Sequence, residues 1–204
     1  MFSPHPGLMS QTRLPSLSRP GAGMAAAEWG ALLLIGAVAA FATNFWSLNL
    51  RLPGHAIIRS VFPMAFGLAL VPRRVSGCVM GLGALATALG FEAAGIDGPG
   101  LGATTSLCLT GPMLDAALAL TRESGRVYLG LACGGLASNL IALAIRAVPK
   151  YFALEGSGGP WANWWPRAVL SYPLCGLAAG LLSALVWFQF RRRDPSSGLG
   201  GPIA

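Results

Sequence analysis

The chain has 204 residues, of which 54% are hydrophobic and only 10% charged, with a formal net charge of +7. Soluble domains carry ~25% charged residues, so an ordinary soluble fold is excluded, and the length leaves room for one membrane domain without a second soluble one. The positive charge sits on arginines in short segments between apolar runs, a placement that orients a membrane protein and does not make a nucleic-acid footprint.

Residues 1–23 are rich in Pro, Ser and Gly and read as a disordered cytoplasmic tail. Met9 and Met24 are alternative translation starts. Six apolar runs follow, at 25–48, 56–71, 75–95, 101–121, 127–148 and 168–190. A hydrocarbon core takes ~20 helical residues to cross, and most of the runs reach that. The first is too long for the core of a signal peptide and precedes no clear A-x-A site, so it is expected to be retained. The expected architecture is an all-α bundle of six transmembrane helices over 24–193, with a flexible cytoplasmic tail at 194–204.

With the N-terminus inside, the inner segments hold Arg13, Arg19, Arg73, Arg74, Arg122, Arg126 and Arg191 to Arg193. The outer segments hold Arg51, Arg59, Arg146, Lys150 and Arg167, while the outer segment after the third run carries Glu92 and Asp97. This asymmetry predicts both termini inside; the inner (plasma) membrane of a bacterial cell is the expected location.

Small residues mark helix contacts. The first helix carries a stripe of Ala27, Ala31 and Ile35 and another of Gly36, Ala40 and Asn44. Either stripe allows close approach, to a partner or within the bundle. Gly77 and Gly81 in the third helix, and Gly176, Gly180 and Ala184 in the sixth, read as internal seams. Cys78, Cys108, Cys133 and Cys175 fall on four different helices without metal-ligand spacing, and read as packing residues.

The first outer segment closes on Arg51-Leu52-Pro53-Gly54-His55. Pro53-Gly54 predicts a turn, so His55 starts the second helix on the outer side. Arg59 follows one turn later, and Pro63 interrupts the hydrogen-bond ladder, tolerated in a membrane only where neighbours re-satisfy it. The fourth helix opens on Gly100-Leu101-Gly102-Ala103-Thr104-Thr105-Ser106 and continues through Thr110-Gly111-Pro112 to Asp115. Polar groups at membrane depth usually face a cavity, a partner or the bundle interior. Asn44, His55, Arg59, Thr104, Thr105 and Ser106 share the outer level, and Asn139 lies deeper in the fifth helix. These seven residues are the candidate solute site. The hydroxyls have the alternative of bonding their own helix backbone, and Arg59 of snorkelling to the interface. Asp115, nearer the inner side, is expected to pair with Arg73, Arg74 or Arg122. The third outer segment, 149–166, carries Tyr151, Phe152, Trp161, Trp164 and Trp165 and reads most simply as an interfacial aromatic belt.

No H-E-x-x-H helix, G-x-S-x-G elbow or paired-carboxylate motif occurs, so neither an enzyme nor a resident cofactor is expected. No Walker A sequence occurs either, so the chain has no P-loop to couple ATP hydrolysis by itself.

Six spans of this size, a Pro/Gly-rich first outer loop, and a fourth helix reading Gly102-Ala103-Thr104-Thr105-Ser106 through Thr110-Gly111-Pro112 resemble a substrate-binding (S) component of an energy-coupling factor transporter. The Thr-Gly-Pro end is similar to the Val-Gly-Pro stretch of the cobalt and nickel branch. The Met-His beginning that supplies metal ligands in that branch is missing, and His5 and His55 are the chain's two histidines. The resemblance implies a solute held near the outer helix ends under the first outer loop, either a vitamin, a vitamin precursor or a transition-metal ion. It also implies contact through small residues of the first helix, Gly36 and Ala40, with a transmembrane coupling (T) protein driven by two ABC ATPases. A stand-alone permease or a membrane scaffold is the alternative.

Overall fold

The computed structural model describes residues 26–46, 53–73, 75–120, 126–152 and 161–188. Both expected tails, and Arg51, Arg74, Arg122 and Arg191 to Arg193, lie outside these. The described residues form six helices and no strand: α1 (Ala26–Phe45), α2 (Ile57–Leu70), α3 (Ser76–Ala93), α4 (Leu101–Leu120), α5 (Arg126–Tyr151) and α6 (Trp161–Trp187). All but α2 are long and apolar enough to cross a membrane. Their outward side chains are apolar as lipid demands, with Leu34, Leu82, Leu129 and Leu170 among the exposed residues. The chain is a multi-pass helical membrane protein.

Helices α1, α3, α4, α5 and α6 pack in that order, and α2 closes the bundle between α6 and α1 while also touching α3, α4 and α5. α2 has 14 residues, about 21 Å of helix against a core of ~30 Å. Its Val61, Met64, Ala65 and Leu68 are fully buried. A helix apolar on nearly every side belongs inside a bundle.

Glycine sets the closest approaches. A Cβ on Gly77 would overlap the Gly111 carbonyl, and one on Gly111 would overlap the Gly77 carbonyl, so α3 and α4 cross backbone to backbone. Gly135 against Gly176, and Gly180 against Leu131, do the same for α5 and α6. The seams read from Gly77 and Gly81 and from Gly176 and Gly180 are therefore internal. So is the stripe expected to meet a coupling partner. Ala40 is fully buried, and a Cβ on Gly36 would overlap the Met80 carbonyl of α3. Gly36 and Ala40 are committed to packing within the chain.

The end of the bundle where α1, α3 and α5 begin is held by polar pairs that connect different helices. Glu28, in the first turn of α1, is fully buried and meets Arg73 at 3.1 Å. Among the described residues Asp115 takes no arginine: Arg73 goes to Glu28, and Arg74 and Arg122 lie outside them. The two carboxylate oxygens of Asp115 accept the backbone N–H groups of Gly77 and Cys78 at 3.0 and 2.9 Å. Those donors belong to the first turn of α3, where N–H groups have no partner within the helix. Asp115 thus caps α3 from the neighbouring helix, brought there by the Gly77–Gly111 crossing. The Tyr128 hydroxyl donates to the Phe188 carbonyl at 2.6 Å, satisfying the end of α6 from α5.

The opposite end corrects one boundary. The segment expected as a loop over 149–166 gives its first three residues to α5 and its last six to α6. Trp161 and Trp165, one helical turn apart, stack at 4.8 Å and 17°. Pro166 does not stop the helix, because membrane helices tolerate proline where neighbours satisfy the freed carbonyl.

Candidate solute-binding cavity

The turn before α2 lies deep in the bundle. Gly54 has φ of 82°, a left-handed conformation that favours glycine. A Cβ there would also come within 2.9 Å of the Tyr172 ring. The Asn139 amide nitrogen donates to the Tyr172 carbonyl at 2.7 Å and the Gly54 carbonyl at 3.3 Å, tying α5, α6 and the turn together. Carbonyl oxygens only accept, so these two bonds fix which end of the amide is nitrogen. The Asn139 oxygen is left as an acceptor with no donor among the described residues.

Asn139 is 12 positions below the last residue of α5, and Tyr172 is 11 positions below the first of α6. At 1.5 Å per residue both place the turn about 17 Å below the level where α5 ends and α6 begins. Above the turn is a cavity of about 280 Å³. Its floor is the turn itself, with Asn139 and Tyr172. One wall is Gly102, Ala103 and Ser106 of α4. Arg146 and Trp164 close the upper side. Arg146 stands two turns above Asn139 on the same face of α5, about 10 Å higher. A Cβ on Gly102 would sit 3.3 Å from the Arg146 Cδ, so the glycine leaves room for the arginine stem.

Two features give the cavity its chemistry. Ser106 is 4% exposed, and its hydroxyl has no hydrogen-bond partner among the described residues. Arg146, exposed at the upper side, makes no ion pair among them, and no described Asp or Glu lines the cavity. A buried hydroxyl otherwise unsatisfied, as at Ser106, marks a place for water or a ligand.

The candidate residues divide. His55, Ser106 and Asn139 line the cavity; Asn44, Arg59, Thr104 and Thr105 do not. Arg59 donates to the carbonyls of Thr43, at 3.0 Å, and Trp46, satisfying the end of α1, with its other terminal nitrogen 3.4 Å from His55 Nε2. Its geometry is that of a cap. The Thr104 hydroxyl donates to the Pro99 carbonyl and that of Thr105 to the Leu101 carbonyl, both at 2.8 Å. The local alternative holds for these two. Arg146, Trp164 and Tyr172 were not among the residues expected to form the site. The spacing of Asn139 and Arg146, seven apart in an apolar helix, is the signal that would have joined them. No cluster of three metal-ligating side chains occurs among the described residues.

The chain matches no family model, no curated protein and no solved structure.

Proposed function

We propose that this chain is the membrane-embedded substrate-binding subunit of an energy-coupling-factor-type importer. On this reading it spans the inner membrane six times with both termini inside, and captures a small solute from the outer side. The observation that carries the proposal is the cavity above the α2 turn. It is walled by apolar and aromatic side chains with a few placed polar groups, the usual build of a solute site. Beneath it the bundle is filled by Ile57, Val61, Met64, Leu107 and Leu114, all fully buried. A site with a packed floor suits binding and handover better than conduction. Handover then falls to a transmembrane coupling protein and two ABC ATPases, because the sequence holds no P-loop. With Gly36 and Ala40 committed internally, the coupling protein would dock on another outward face.

Three measurements test the proposal. The tagged chain, purified from its own membranes in mild detergent, should bring a transmembrane protein and nucleotide-binding subunits with it. Solute released on denaturation should be identifiable by mass spectrometry, and Ala103→Trp, which fills the cavity, should abolish its retention. Equal retention by the variant would remove the cavity from the reading. In a background lacking the native cysteines, Asp97→Cys should react with an impermeant maleimide from outside, and Val75→Cys only after permeabilisation. The opposite pattern would reverse the orientation.

A further inference from the structure

The cavity's chemistry restricts the solute further, on the reading that it is a solute site at all. Among the described residues, the side chains lining it include one guanidinium, Arg146, the His55 imidazole and no carboxylate. Because Arg146 forms no ion pair among the described residues, its charge is available to a ligand. The cavity also sits over the start of α2, where a helix carries partial positive charge. Buried Ser106 offers a hydroxyl with no protein partner, and Asn139 offers an oxygen acceptor at the floor, since both its amide hydrogens are committed to carbonyls. Two aromatic rings face the cavity, Tyr172 at the floor and Trp164 at the Arg146 level. The volume, about 280 Å³, holds about nine waters at ~30 Å³ each.

We infer that the solute is a small organic monocarboxylate, its acid group paired with Arg146 and its flat body between Trp164 and Tyr172. A guanidinium accepts a carboxylate through two parallel hydrogen bonds. One guanidinium matches one negative charge. A dianionic phosphate would bring a second negative charge for which the described lining offers no second guanidinium, and a cation would face Arg146 with no described carboxylate beside it, both unfavourable. The acceptor at the Asn139 level favours a body with a hydrogen-bond donor at the end away from its carboxylate.

The test uses the full chain in lipid nanodiscs and probes that share a body and differ in head group. The bodies are phenyl, 4-aminophenyl, 3-pyridyl and indol-3-ylmethyl. Each is offered as the carboxylate, the primary amide and the aminomethyl cation, with phenyl phosphate as the dianion. Binding is read by thermal shift and by calorimetry. Carboxylates should bind, 4-aminobenzoate more tightly than benzoate, and each at least about tenfold more tightly than its amide, since a charged hydrogen bond is lost. Arg146→Gln should erase that preference, and Arg146→Lys should restore part of it. Arg146 is exposed, so neither change threatens the fold. Amide, cation or phosphate binding as tight as carboxylate overturns the inference. If such binding is also lost in Ala103→Trp, the cavity remains a solute site and only the charge class is wrong. A carboxylate preference that survives Arg146→Gln overturns the role given to Arg146. No binding by any probe of any charge overturns the inference together with the reading of the cavity beneath it.

Discussion

Replacing Asp115 separates a helix cap from an ion pair. Its two oxygens each accept one backbone N–H from the first turn of α3, at 3.0 and 2.9 Å. In Asp115→Ala both donors lose their acceptor inside the bundle, at 7% exposure of the parent residue. A charge-assisted hydrogen bond contributes ~1.5–3 kcal/mol in soluble proteins, and side-chain bonds in membranes average less, with a maximum near 1.7 kcal/mol. The pair should therefore be worth about 2–4 kcal/mol. For a chain of this length that is a fall of roughly 5–15 °C in Tm, at about 2–4 °C per kcal/mol. Asp115→Asn keeps one acceptor and turns an NH2 toward the other donor, so about half the loss or more should remain. The assay is thermal unfolding of purified variants in detergent, read by circular dichroism. The informative comparison is with Arg73→Gln and the double variant. If Asp115 caps α3 and Arg73 serves Glu28, the two losses should add within about 0.5 kcal/mol. A neutral Asp115→Ala would refute the cap, and strong non-additivity would restore the ion pair expected from sequence.

Three further outcomes follow from the same geometry. Glu28→Leu or Arg73→Leu alone should destabilise by about 3–5 kcal/mol, because each breaks the 3.1 Å pair at a buried carboxylate, and the double Leu variant should recover much of the loss; this can be read by the same melts. Gly111→Ala should block assembly of α3 on α4, seen as loss of folded protein by size exclusion, whereas Gly90→Ala, where a Cβ meets nothing within 4 Å, should be tolerated or stabilise by up to about 1 kcal/mol. Asn44→Ala and Thr105→Ala should leave retention of the co-purified solute unchanged, while Ser106→Ala should weaken it about tenfold; equal effects at all three positions would mean that the wrong wall of α4 has been assigned.

The sequence was legible where a residue type permits one geometry. Pro53-Gly54 could only turn, and Gly77, Gly176 and Gly180 marked seams because close backbone contact leaves few alternatives. It was least legible where the outcome depends on which helices cross. Nothing in the spacing of Asp115 and the arginines says that α3 begins beside it; the Gly77–Gly111 contact decides that. Arg59 was read one turn after His55 at the start of α2, but its partners, the carbonyls of Thr43 and Trp46, follow from tertiary placement. The start of α6 was missed because a tryptophan cluster ending in proline has the composition of an interfacial loop, and only the Trp161–Trp165 stack makes it a helical turn. Gly36 and Ala40 show the limit of a small-residue stripe, which fits an outside partner and an inside neighbour equally well.

The brevity and central position of α2 have a consequence for how the protein is made. Fourteen residues that include Arg59 near one end and Pro63 inside are too short and too interrupted to be a good solitary client for the insertion machinery, which favours ~20 apolar residues. The carbonyls that receive Arg59 belong to α1, already synthesised, so the two should enter as a hairpin. The opposite wall of α2 is α6, which leaves the ribosome last. Until it arrives, Phe62 and Phe66 lack Trp187, whose ring packs 5.1 and 4.7 Å from theirs and whose indole N–H reaches the Phe62 carbonyl. Biogenesis must therefore hold a half-enclosed intermediate for the time taken to translate more than half the chain. A nascent chain stopped before α6 should be cleared by membrane quality-control proteases, and supplying α6 as a separate polypeptide should rescue it.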